Sequence, residues 1–298
     1  MNILLIGGTG FVGRHLIKAL AAKKYRIYNV TRSPATDQNN ETTTYISYDH
    51  PVHKLPKIDA VINLAGESLF GYWTQKKKER ILHSRIKTTE KVVNMMAEME
   101  TRPPVFINAS AIGFYGISEK SIFTEEVTTS GDDFLAKVVV QWEKAAKKAE
   151  ELGIRTIYAR FGVILGNDGA LPLMSLPVKL FVGGRIGSGE QWISWIHIED
   201  AVQLLIYCIE NEKMKGPVNF TAPTPHRNKD FIKILASVLK RPIYLPTPAI
   251  FLRLVLGEMS QLITKGQHVL PKKAEENHYT FSYPTLDQAL QNIFQRNR

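Results

Sequence analysis

A single cysteine, Cys208, stands in the whole chain, so no intrachain disulfide can form. It lies in the apolar run Leu204-Leu205-Ile206-Tyr207-Cys208-Ile209, the setting of a buried small hydrophobe. A nucleophilic thiol wants a basic, partly exposed setting, and nothing near it in sequence supplies one. No stretch of about 18 apolar residues occurs, which excludes a predicted transmembrane helix. The chain opens into a strand, without the charged segment and hydrophobic stretch of a signal peptide. No export signal and a lone cysteine together lead us to expect a cytoplasmic protein. No cluster has metal-ligand spacing, so no metal is expected. Helix-turn-helix patterns, zinc-ligand spacings and basic arms are missing as well. Nucleic acid is therefore not an expected partner, despite a net charge of +10. Its densest basic run, Lys76-Lys77-Lys78 with Arg80, Arg85, Lys87 and Lys91, lies on a predicted helix that also carries apolar positions, and reads as a solvated face. Internal repeats and low-complexity tracts are absent too.

What is present is an ordinary globular composition, 44% hydrophobic and 22% charged over 298 residues, enough chain to bury a sizeable core. Short apolar runs alternate with segments of helical period. Strands are predicted at Asn2–Ile6, Tyr25–Val30, Asp59–Leu64, Pro104–Ala109 and Arg155–Phe161. Helices are predicted at Phe11–Lys24, Thr74–Glu100 and Asp132–Leu152. This alternation argues for an α/β, Rossmann-type doubly wound parallel sheet. Pro172, Pro177, Gly183, Gly184, Gly187 and Gly189 mark a loop-rich stretch over residues 171–196, expected to contribute to a substrate cleft. Glu199–Asn211 reads as a helix and Val218–Thr221 as a strand. After Pro223-Thr224-Pro225, helical patterns near Asn228–Leu239, Ala249–Ile263 and Thr285–Phe294 suggest a small C-terminal α+β domain. The expected division is 1–222 for the nucleotide-binding domain and 223–298 for the second. The apolar segment Ala249–Leu256 reads as a core helix of that domain, with a membrane-surface helix as the alternative.

The strongest motif is Ile6-Gly7-Gly8-Thr9-Gly10-Phe11-Val12-Gly13, which follows one predicted strand and opens one predicted helix. Gly7 permits the tight turn, Gly10 lets the backbone approach a pyrophosphate, and Gly13 lets helix and strand pack closely. The helix N-terminus offers free N–H groups and the positive end of its dipole to the phosphates. An NAD site wants an acid at the end of the second strand, for the ribose 2′-hydroxyl. Here Val30-Thr31-Arg32-Ser33 stands instead, with no acid before Asp37. Arg32 can meet a 2′-phosphate, with hydroxyl contacts from Thr31 or Ser33. A charge-assisted hydrogen bond corresponds to a preference for NADP(H) over NAD of about 10- to 150-fold. A solvated arginine is the alternative.

With Asn63-Leu64-Ala65-Gly66 after a strand, Ser110 through Tyr115-Gly116, Arg160 through Gly166, and Trp195-Ile196-His197-Ile198-Glu199-Asp200 in order, the chain resembles the extended short-chain dehydrogenases/reductases. Glu67 through Trp73, Ser84 through Thr89, Trp142-Glu143, Val218 through Pro223, Arg241-Pro242, Leu270-Pro271 and Tyr283 through Leu286 narrow the resemblance. They point to an atypical branch, the "epimerase family protein" group with a C-terminal domain of unknown function. The resemblance covers essentially the whole chain. It implies a Rossmann domain and NADP binding, with Leu64, Ala65 and Gly66 beside the cofactor.

The working enzymes of that superfamily move a proton with a tyrosine, a lysine four residues on, and a serine or threonine. Alignment on Glu143 puts Leu135 and Val139 at the tyrosine and lysine. Alignment on Tyr115-Gly116 puts Ala111 at the serine, with Ser110 one position before it, and the upstream asparagine falls at Arg85. Other polar groups are candidates for chemistry. Ser110 would donate to a substrate oxygen or cap a turn. Glu67 would act as a general base or sit in a salt bridge. Tyr115 would ionise or shape the pocket. Arg85 and Lys87 would hold an anionic small-molecule substrate or form a solvated face. His197 reads as part of a structural turn. Three functions follow: an NADP(H)-dependent oxidoreductase or nucleotide-sugar epimerase with relocated acid–base groups; a non-catalytic NADP(H)-binding sensor or scaffold; or an interaction protein on an old fold. The intact glycine motif and Arg32 weigh against the third.

Overall fold

The computed structural model describes residues 1–34, 38–242, 248, 254 and 257–295. Strands are numbered along the chain. Seven form the central sheet: β1 (Asn2–Ile6), β2 (Arg26–Thr31), β3 (Thr43–Ser47), β4 (Ala60–Asn63), β5 (Val105–Ala111), β7 (Arg155–Phe161) and β11 (Gly216–Phe220). Their spatial order is β3-β2-β1-β4-β5-β7-β11, and every neighbouring pair is parallel. The chain winds outward from β1 to β3, then returns to β4 on the other side. That reversal opens a crevice at the carboxyl ends of β1 and β4, where open α/β sheets hold ligands.

Side chains alternate across the sheet. Ile3 and Leu5 of β1 join Leu16 and Leu20 of α1 (Phe11–Ala22) and Leu204 and Leu205 of α5 (Ile198–Glu210) in one core. Leu4 and Ile6 join Val92 and Met96 of α2 (Gln75–Ala97) and Ala146 of α3 (Phe134–Lys147) in the other. Burial on both faces makes such strands nearly continuous apolar runs, which is why they were legible. Each such side chain contributes about 1.5–3 kcal/mol on burial.

Two elements differ from expectation. Strand β3 was not foreseen: Thr-Thr-Tyr-Ile-Ser is too polar to announce itself, and it lies at the sheet edge where one flank needs no partner. The stretch 171–196 is less loop-rich than its prolines suggest, because it contains most of α4 (Ala170–Lys179). Pro172 lies in the first turn of α4, where a missing N–H costs no hydrogen bond. Leu171 and Val178 of α4 reach a third core with Phe231 and Leu235 of α6 (Asn228–Leu239) and Leu286 and Leu290 of the last helix, Leu286–Gln295. This core draws on residues both before and after 222. The apolar segment 249–256 lies outside the described residues apart from Leu254.

Short strand pairs tie the later chain to the sheet. β6 (Ile122–Phe123) pairs with β13 (His268–Val269), β8 (Val163–Leu165) with β10 (Trp195–His197), and β9 (Trp192–Ile193) with β12 (His226–Arg227). Residues 259–270 run as a strap over the strand exits. Gly71 N–H donates to Met259 Sδ, Ser118 N–H to the Gly266 carbonyl, and Gln267 Nε2 to the Ile112 carbonyl. Among the described residues, no helix is long and apolar enough to cross a membrane, and no cluster of three His, Cys, Asp or Glu could hold a metal.

Candidate cofactor and substrate site

The glycine turn connects β1 to α1 at the crevice. Gly7 has φ +87°, and a Cβ there would come within 2.8 Å of the Ala65 nitrogen and the Leu64 carbonyl carbon. The turn and the exit of β4 therefore touch, and only glycine permits it. Gly13 is held as closely: its Cβ would stand 2.3 Å from the Gly7 oxygen. Gly10 differs, since a Cβ there would meet nothing nearer than the Gly7 oxygen at 3.3 Å. That contact is tight but far less so than at Gly7 or Gly13, so the rest of the space over Gly10 is open. Gly10 is the N-cap of α1 and provides no capping side chain, and the first turn has no acid. By contrast, Thr74 caps α2, Asp133 caps α3 and His197 caps α5 with side-chain acceptors. The first N–H groups of α1 thus remain open to an anion. Thr9 is exposed on the turn, and its carbonyl takes a hydrogen bond from Arg14. Phe11 and Val12 are half-buried beneath it, with the Phe11 ring against Gly166 and Gly169.

Thr31 ends β2, and Arg32 and Ser33 follow it exposed. Arg32 has no ion pair among the described residues. Leu64 and Ala65 are half-buried and Gly66 is exposed at the exit of β4. Next comes Glu67, whose Oε1 accepts from Lys77 Nζ at 2.8 Å. That hydrogen bond, with the charges of Lys77, Arg80 and Arg32, holds the Glu67 carboxyl below the usual carboxylate range. A carboxylate so stabilised is a weaker base. Lys77 itself is buried, so this member of the basic run is a paired core cation and not part of a solvated face. Lys87 stays exposed on α2.

At the exit of β5 most polar groups are spent on one another, Arg160 Nη1 excepted. Ser110 is buried, and its Oγ donates to Glu143 Oε1 at 2.6 Å. Glu143 accepts Arg160 Nε and Nη2, each at 2.8 Å. The Arg160 guanidinium lies 3.5 Å from the Phe114 ring centroid. Tyr115, also buried, donates to Asn219 Oδ1 at 2.8 Å, and burial pushes its phenol above the ordinary value. Leu135 and Val139 pack toward Gly113, which a Cβ would bring to 3.5 and 3.9 Å of them. His197 caps α5 through Nδ1 and stacks on Tyr283.

Three groups of the site escaped the sequence reading. Asn29, fully buried on β2, accepts the Gly8 N–H through Oδ1. Asn63 donates to Thr89 and Asn108, while Trp142 Nε1 donates to Thr89, binding α2 and α3 to the strand exits. Glu143 and Arg160 form the buried pair. A signal existed for each: an amide or a guanidinium inside an apolar strand has to find a partner.

Residues 3–220 match the family model described as NAD dependent epimerase/dehydratase family, and residues 247–293 match a domain of unknown function, DUF1731. An epimerase family protein of Bacillus subtilis, YfhF, is 47% identical over 297 residues, covering 98% of each chain. A homologue from Staphylococcus saprophyticus is 40% identical over 295 residues, covering 98% of this chain and 99% of its own. Among solved structures, the human epimerase family protein SDR39U1 with NADPH superposes with a TM-score of 0.90 at 30% identity, covering 99% of both chains.

Proposed function

The chain belongs to the NAD-dependent epimerase/dehydratase family, and from that premise we propose that it is an NADP(H)-binding oxidoreductase of the atypical short-chain dehydrogenase/reductase kind, acting on a small molecule. The single observation that carries this reading is the uncapped N-terminus of α1 beneath a bare Gly10. The residues present fit the cofactor. The α1 N–H groups and Thr9 to Gly13 would hold its pyrophosphate. Thr31, Arg32 and Ser33 would hold the 2′-phosphate, and Leu64 to Gly66 would line the next stretch. The NADPH reported with SDR39U1 supports the same choice of cofactor.

When bound, the cofactor supplies a hydride donor or acceptor. The chain's own residues position it and shield the crevice with the strap over the strand exits. Leu135 and Val139 on α3 cannot pass a proton, so any proton transfer would fall to other groups at the strand exits. Calorimetric titration of cofactor-stripped protein with NADP, NADPH and NAD tests the reading. Binding of NADP(H) about 10- to 150-fold tighter than NAD is expected; absence of binding to all three would overturn it.

A second reading, a sensor or scaffold that holds NADP(H) without turnover, is favoured by one observation. Ser110, the polar group nearest the usual proton relay, is committed to Glu143. NADPH consumption across aldehydes, ketones and nucleotide sugars separates the two readings.

A further inference from the structure

Arg85 stands on α2 with its guanidinium turned toward the exit of β4. Nη1 donates to two backbone carbonyls, Glu67 at 3.1 Å and Ile81 at 3.0 Å. The group lies 5.0 Å from the centroid of the Trp142 ring. Its Cζ is 3.3 Å from where a Cβ on Gly66 would stand. These contacts fix the guanidinium in place, and the charge of Glu67, itself bonded to Lys77, offsets only part of its cost of burial. No carboxylate pairs with it among the described residues: Glu67 is held by Lys77 and Glu143 by Arg160. Nor do Nε and Nη2 have a hydrogen-bond partner there. Burial pulls the guanidinium down to about 10, so it remains charged at neutral pH. A half-buried cation without a carboxylate paired to it is costly and favours an anionic ligand.

The position is informative. Gly66 follows directly on Leu64 and Ala65, which touch Gly7 of the glycine turn. Gly66 is exposed and carries no side chain between Arg85 and the crevice. The open edge of the guanidinium, Nε and Nη2, is a two-donor fork that matches a planar carboxylate with two parallel hydrogen bonds. A phosphate dianion would call for a second cation, and Lys77, the buried lysine bonded to Glu67, is already neutralised.

We propose that the Nε–Nη2 edge of Arg85 is a carboxylate-binding site, and that the substrate is a small carboxylate-bearing compound held there beside the cofactor. The placement beside the cofactor rests on the function proposed above; the anion site itself does not.

The test uses the full chain, with and without saturating NADPH. It is titrated with trifluoroacetate by ¹⁹F NMR, with inorganic phosphate as the competing probe. Saturable trifluoroacetate binding is expected, weakened about tenfold or more in Arg85→Gln. Arg85→Lys, which keeps the charge and loses the fork, is expected to weaken it as well, and NADPH affinity is expected to be unchanged in both variants. The proposal is overturned if the wild type does not bind trifluoroacetate saturably, if either variant binds it as tightly as the wild type, or if phosphate binds more tightly than the carboxylate. A loss of NADPH affinity as large as the loss of anion binding also overturns it, since the edge would then serve the cofactor's own phosphate. Should Arg85→Gln fail to fold, Arg85→Lys decides alone. Wild type that binds the carboxylate but not NADPH would sink the cofactor reading and leave the Arg85 site standing.

Discussion

Two stretches of the same sheet edge, a few strands apart, are built on opposite plans. At the exit of β1, the turn from Gly7 to Gly13 commits almost no side chain, and the first N–H groups of α1 lack a capping acceptor. At the exit of β5, Ser110, Glu143, Arg160, Tyr115 and Asn219 are all hydrogen-bonded to one another or to neighbouring backbone. The first region leaves the opening N–H groups of α1 without a side-chain cap; the second uses its side chains to hold the fold. The contrast teaches that one sheet edge can keep a bare, uncapped turn at one strand exit while the polar groups of another exit brace the fold. Binding and chemistry are separable along one sheet edge because they depend on different atoms, backbone amides in one case and side chains in the other.

If the β5 exit is bracing, its largest effect is on stability. Glu143→Gln leaves the Arg160 guanidinium, 4% exposed, without its counter-charge. Breaking a buried pair in this way costs about 3–5 kcal/mol. Chemical denaturation should show that loss, with NADPH affinity unchanged in the folded variant. A large drop in NADPH affinity without a stability loss would break the contrast from this side.

The mirror experiment strikes the β1 exit. Gly10 has φ −76°, which any residue adopts, and a Cβ there would meet only the Gly7 oxygen, at a tight 3.3 Å that a few tenths of an ångström of backbone movement relieves. Gly10→Val should therefore fold cooperatively while its methyl groups stand where the pyrophosphate approaches. Calorimetry should show NADPH affinity lowered by two orders of magnitude, about 3 kcal/mol. Retained affinity would mean that the bare turn is not the anion site. Arg32→Ala should cost less, about 1.5–3 kcal/mol of NADP affinity, with NAD binding little altered. Equal losses for both cofactors would show that Arg32 does not read the 2′-phosphate.

The same contrast explains how much could be read in advance. The β1 exit was legible because its demands fall on the backbone, and backbone demands appear as glycines at fixed spacing. The strand–helix alternation was legible because a sheet buried on both faces writes itself as short apolar runs. The β5 exit was not, because its partners are distant in sequence: Ser110 and Glu143 are 33 residues apart, Tyr115 and Asn219 104. Arg160 within the apolar strand Arg155–Phe161 announced that a partner must exist without saying which. Arg85 was ambiguous for a related reason. A cation on a basic helix reads as solvated, and only the packing of α2 against Trp142 and Gly66 turns it inward. Strand β3 was missed because it is short and polar at the sheet edge, although its threonines favour strands, and helix α4 because its prolines run against helix preferences.

The smallest effects are the most discriminating. Ser110→Ala removes one hydrogen bond from Glu143, which keeps both bonds from Arg160. It should cost about 1 kcal/mol of stability and leave NADPH affinity intact. Tyr115→Phe removes a hydrogen bond to Asn219 at similar cost. Burial has raised the Tyr115 phenol above its ordinary value of 10.0, so it stays protonated throughout the neutral range. In a reaction that consumes NADPH, neither substitution should then change the shape of the pH–rate profile between about pH 6 and 9. If either variant bound NADPH normally yet lost turnover, the β5 exit would hold chemistry after all, and the division between a ligand-binding edge and a braced edge would fail where the two meet.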